Sequence, residues 1–148
     1  MYRRERPIVR EFQNEEFLYL RYRRDHWVEG QLDPAGLRFP KTSVYRSLFS
    51  EPADALFSED GRYNGLGVVR FRVLDIPARV EQENGPAYVF HMEHVPLSDH
   101  YSHSEIWSRR EDAVDHQDRE PNKTVKLRFR IRLCQGIRQE QVCIEAVL

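Results

Sequence analysis

Lysine is nearly absent. Of 23 basic residues among 148, 20 are Arg and three are Lys (Lys41, Lys123 and Lys126). Against 24 acids the formal net charge is −1, which excludes a chain that coats nucleic acid or an anionic membrane by bulk field. Cysteine is scarce too. Cys134 and Cys143 have no CxxC spacing and lie among apolar neighbours, so they read as small core residues rather than reactive thiols or a disulfide. No run approaches the roughly 18 apolar residues of a membrane span. No apolar h-region follows the opening Met-Tyr-Arg-Arg-Glu-Arg-Pro. These absences predict a soluble, cytoplasmic protein with no membrane partner. Glycine is sparse as well. The run Gly61-Arg-Tyr-Asn-Gly65-Leu-Gly67 leads into a strand pattern rather than from a strand into a helix, so it reads as a turn and not as a phosphate cradle.

What is present predicts an ordered fold. Apolar residues make up 40% of the chain, and a domain of this length buries about 68–70% of its unfolded surface. No repeat or low-complexity tract divides it, so residues 1–148 read as a single globular domain, with residues 1–12 as a loose N-terminal arm. Alternation of apolar and polar residues marks strands at 66–74, 86–95 and, most clearly, 124–133. In the last, Val125, Leu127, Phe129, Ile131 and Leu133 oppose Lys126, Arg128, Arg130 and Arg132. Residues 17–23 read as a fourth strand, with a helix as the alternative, and 141–147 as a fifth, pairing with 124–133 across Gly136. Ser50-Glu51-Pro52 is a helix start, and 104–114 is a second helix candidate. Few helices without βαβ alternation predict an α+β fold. It would hold a mainly antiparallel, curved sheet of about five or six strands with one or two short helices.

Chemistry concentrates between His91 and Glu105, where four of the six histidines fall with Glu93, Asp99 and Glu105. Histidine titrates near neutrality, so an acid–base pair can be built from it. His94 and His103 flank the Pro96–Asp99 turn, which would bring them together. If 101–105 is extended, His103 and Glu105 share a face. The spacing matches no HExxH or deaminase pattern, and no dedicated metal site is expected. Near the start, Arg21 and Arg23 sit among Tyr19, Tyr22 and Trp27, a combination suited to phosphate contact and ring stacking. Ser43 and Arg46 follow a turn at Pro40-Lys41.

Three functions follow from these residues. The first is a small enzyme acting on a nucleotide-like or phosphorylated substrate. Arg21, Arg23, Ser43 and Arg46 would bind, and His94, His103 and Glu105 would do the chemistry. Its logic is an arginine for phosphate, a hydroxyl for ribose and a carboxylate or histidine for proton transfer. The order Arg21, Ser43, Glu105 is similar to that of one class of ADP-ribosyltransferases, in which an early Arg and a Ser hold NAD and a late Glu acts on the ribose. The Ser-Thr-Ser and Glu-x-Glu contexts of that class are missing here, so no family is assigned. The second is a non-enzymatic nucleic-acid- or protein-binding module, using Arg70, Arg72, Arg128, Arg130 and Arg132 on the outer faces of neighbouring strands. The third is a metal-dependent hydrolase built on 91–105. No motif names a cofactor or an oligomeric state.

Overall fold

The computed structural model describes residues 6–113 and 119–148. Alternating side chains build its main sheet. The strands are β1 (Phe17–Tyr22), β4 (Thr42–Arg46), β5 (Gly67–Arg72), β6 (Arg79–Val80), β7 (Tyr88–His94), β8 (His103–Arg110) and β9 (Val142–Ile144). The short strands β2 (Trp27–Val28) and β3 (Gln31–Leu32) form a separate hairpin. The main sheet runs β6-β7-β8-β4-β1-β5-β9 with every neighbour antiparallel. The fold is α+β and mainly antiparallel as expected, and at seven strands the sheet is more extensive than five or six. Among the described residues no helix is long and apolar enough to cross a membrane.

The register gives the sheet two unlike faces. Directly opposed residues of an antiparallel pair share a face. Leu18 opposes Phe71, Leu20 opposes Val69, and Ile106 opposes both Thr42 and Met92. This back face joins the core under α1 (Lys123–Gln135), the one α-helix among the described residues. Val125, Phe129 and Leu133 of α1 are buried there. The Phe129 ring lies 4.3 Å from Phe90 and 4.5 Å from Phe39, centroid to centroid. Each such side chain contributes about 1.5–3 kcal/mol by leaving water.

Four local expectations are corrected. Residues 124–133 are helical, because Val125, Phe129 and Leu133 recur every four residues and make one buried stripe, while Leu127 and Ile131 face solvent. Asn122 caps this helix, its side-chain oxygen accepting the Val125 amide at 3.0 Å. Residues 104–110 belong to β8 rather than a helix, since both β4 and β7 pair with them. Consequently β9 pairs with β5, through Val142–Val69 and Ile144–Val68, and not with 124–133. The helix start near Ser50 is a short 3-10 turn, Pro52–Leu56.

The N-terminal arm is tied down over its described part, 6–12. Arg46 is completely buried. It pairs with Glu16 through two 2.8 Å bonds and donates to the carbonyls of Val9 (2.6 Å) and Glu11 (2.7 Å). Phe12 packs on the core, with the Arg46 guanidinium 3.8 Å from its ring centroid. The first five residues lie outside those described.

Candidate functional site

The front face gathers several polar and aromatic side chains from adjacent strands. Tyr19 opposes Tyr45, Tyr45 opposes His103, and Ser43 opposes Glu105, which opposes Glu93. Three adjacent strands, β1, β4 and β8, thereby present Tyr19, Arg21, Ser43, Tyr45, His103, Glu105 and Trp107 on one surface. The segment after β4 folds over one end. Its Ala55 packs on Tyr19, Tyr45 and Val68, and its Ala55 carbonyl accepts from Arg21 Nη1 at 2.8 Å. Tyr63 from the same segment lies beneath the Arg21 guanidinium, 3.6 Å from centroid to Cζ, with the Tyr45 ring 5.0 Å away on the sheet. Arg21 is thus a cation held by two rings and a carbonyl, half-exposed above the strands.

His103 is held at both ring nitrogens. It is 4% exposed. Its Nδ1 lies 2.8 Å from the Val95 carbonyl and its Nε2 3.1 Å from Ser43 Oγ. A carbonyl only accepts, so Nδ1 carries the proton and Nε2 offers its lone pair to the Ser43 hydroxyl. Burial holds the His103 pKa below its ordinary value, outweighing the Val95 carbonyl and Glu105, which raise it; His100 and Arg21 lower it further. The neutral ring is therefore a base aimed at a half-exposed serine. Burial also raises the Tyr45 hydroxyl, with Arg21 pulling the other way. Glu105, 7% exposed, accepts from Trp107 Nε1 at 3.0 Å through one oxygen. Beyond it, Glu93 pairs with His91 (2.7 Å) and Arg119, and the Arg119 guanidinium sits 3.9 Å from the Trp107 ring centroid.

Of the residues the sequence nominated, Arg21, Ser43, His103 and Glu105 come together. His94 does not. It opposes Ser104 on the back face, one residue out of phase with His103, so the turn brings their strands together but not their rings. His94 Nδ1 accepts the Val9 amide at 2.9 Å and Nε2 donates to the Tyr101 carbonyl at 2.7 Å, with Phe49 stacked on the ring. Both nitrogens are occupied, Nδ1 in holding the arm and Nε2 at Tyr101, and burial lowers its pKa. Arg46 is likewise a structural clamp, sealed from any ligand. Arg23 points to solvent beyond β1 beside Asp25.

The arginine-lined sheet is not assembled as expected. Arg70 and Arg72 are exposed on the front face near Phe17. Arg128 and Arg132 belong to α1 behind the sheet and donate to the carbonyls of Glu81 and Arg79, and the Nε of Arg130 is buried without a hydrogen-bond partner among the described residues. Among the described residues no group of three or more His, Cys, Asp or Glu is placed to hold a metal. Cys134 is buried and its thiol is pushed up to about 12 by burial. Cavities of about 390 Å³, beside Phe12, Val73 and Met92, and about 210 Å³, beside Trp27 and Glu145, lie away from His103.

Sequence reasoning passed over Tyr45, Tyr63, Trp107 and Arg119 as site residues. Tyr45 and Trp107 carried a signal, since each lies two positions beyond a nominated strand residue, Ser43 or Glu105. Tyr63 and Arg119 arrive from connecting segments, where no periodicity announces a face. Comparison with known protein families, characterised proteins and solved structures finds no match to this chain.

Proposed function

We propose that the front face is the site of a small enzyme acting on a nucleotide-like or phosphorylated substrate. The observation that supports this reading is the grouping of Arg21, Ser43, His103 and Glu105 on three adjacent strands, with His103 bonded to Ser43. Arg21 is the phosphate contact; its planar fork suits a phosphate's paired oxygens. Tyr63 and Trp107 hold the Arg21 and Arg119 guanidinium groups at this face through their rings. His103 accepts a proton in the neutral form that burial favours, and Glu105 supplies a carboxylate two residues along the same strand face.

The reading is tested by titrating ADP into the protein in a calorimeter. Saturable binding is expected. Arg21→Ala should weaken it by about tenfold or more, corresponding to about 1.4 kcal/mol. Arg23→Ala should leave it unchanged, because that side chain points into solvent beyond the strand. Absence of saturation at millimolar ADP, or equal loss in both variants, would count against the assignment.

A further inference from the structure

The contact between Ser43 and His103 admits a sharper assignment than ligand binding. A serine that merely lines a site can point its hydroxyl at water. Ser43 is half-exposed, yet its oxygen sits 3.1 Å from the only ring nitrogen of His103 that can accept a proton. That nitrogen is selected by a third group, the Val95 carbonyl at 2.8 Å. Nucleophile, base and orienting acceptor in this order are the logic of an activated hydroxyl. All three come from rigid strands or the residue next to one: Ser43 from β4, His103 from the start of β8 and Val95 from just beyond β7. The Arg21 cation shares their face.

We propose that Ser43 is a nucleophile that takes up a phosphoryl group from a phosphoric ester, with His103 as its base and Arg21 as the contact for the phosphoryl oxygens. This rests on the reading of the front face as a site for phosphorylated substrates. In the step, Ser43 Oγ bonds to phosphorus and the bond from phosphorus to the leaving oxygen breaks. The serine proton passes to His103 Nε2 and from there to the leaving alkoxide, which departs as an alcohol. Water then attacks the phosphoserine, giving its proton to His103, and the Ser43 oxygen leaves and recovers that proton. His103 ends neutral, and no oxidation or reduction occurs. Val95 is a positioning group, acting through the imidazole.

The test is labelling of the full chain with diisopropyl fluorophosphate, read by intact mass and peptide mapping. Ser43 attacks phosphorus, fluoride leaves, and a stable ester remains. One adduct per chain is expected, on Ser43, and none in Ser43→Ala. His103→Gln should slow labelling by about 100-fold or more. In case these variants fold poorly, the wild-type rate against pH serves alone. It should be flat from pH 7 to 8 and fall with a midpoint below the ordinary histidine value. The charged and titratable groups facing that ring are Arg21, His100, Glu105 and Tyr45. Absence of an adduct, labelling at another residue, or a rate that falls with a midpoint at or above the ordinary histidine value would overturn the proposal. ADP binding with no Ser43 adduct removes the nucleophile and leaves the site reading standing. An adduct without ADP binding does the reverse for the nucleotide.

Discussion

At the scale of single residues, the same side-chain types serve opposite ends according to which face of the sheet they occupy. His94 and His103 are nine positions apart on paired strands, and one residue of phase separates a ring that braces the N-terminal arm from a ring that faces Ser43. Arg21 and Arg46 divide the same way, one half-exposed between tyrosines and one sealed against Glu16. Residue type and order are visible in a sequence, whereas this phase depends on where the turn between β7 and β8 places the register. Both histidines are held neutral, burial being the leading cause in each. In the unfolded chain they titrate near the ordinary value of about 6.5. Below that pH the unfolded chain takes up protons that the folded chain resists, so unfolding is favoured as pH falls. The stability contributed by the neutral rings is whole above about pH 6.5 and is lost below it, down to the lowered folded pKa. Urea midpoints should therefore drop between pH 7.5 and 5.5. His94→Gln, which keeps one donor and one acceptor, should remove part of that slope. A midpoint level across this window would show that the rings are not held neutral.

At the scale of elements, three strands were legible where alternation was joined to β-branched and aromatic residues. Residues 17–22, 67–72 and 88–94 follow that pattern and form β1, β5 and β7. The segment 124–133 alternates more strictly than any of them and is helical. A period of two contains a period of four, and Val125, Phe129 and Leu133 satisfy both. Local pattern alone could not separate them, but the stop-and-start chemistry could, since Asn122 caps one end and Gly136 closes the other. What decides the outcome is tertiary: the back face exposes Phe39, Phe90 and Ile106 to a cover, and a helix stripe fits there. The two readings differ in energetics. In a half-buried strand, Leu127 and Phe129 would lie equally deep. In the helix, Phe129→Ala should cost about 3–5 kcal/mol, and Leu127→Gln should stay within about 0.5 kcal/mol. Asn122→Ala should cost about 1 kcal/mol. Urea denaturation of the three variants measures this directly, and equal losses at 127 and 129 would contradict the helix.

At the scale of the whole molecule, 23 bases and 24 acids sum to a net charge of −1, and several of them meet on the surface. Arg79 meets Glu81 and Glu111, and Lys126 meets Glu120, so part of the positive charge on α1 and the short strand beside it is paired with acids. Surface pairs of this kind contribute about 0–1 kcal/mol each; they set the field more than the stability. The Arg46–Glu16 pair is different, because it is buried and its guanidinium also ties the N-terminal arm to β4. Arg46 on β4 holds Glu16, which precedes β1, and two carbonyls of the arm, while His94 on β7 holds the arm's Val9 amide. The arm thus links a central strand to one near the sheet edge across the back face and brings Phe12 onto the core. Deleting residues 1–12 would leave Arg46 with Glu16 alone and strip two charge-assisted bonds, each worth about 1.5–3 kcal/mol, along with the packing of Phe12. The expected loss is therefore about 3–6 kcal/mol on the same scale, read as a large fall in the urea midpoint of the whole chain. Front-face chemistry should survive in whatever fraction remains folded, because Ser43, His103 and Arg21 make none of their hydrogen bonds to the described residues of the arm. Diisopropyl fluorophosphate labelling of the truncated chain in the cold, normalised to its folded fraction, checks this separation. A midpoint unchanged by the deletion would mean that the arm is carried by the fold and does not brace it.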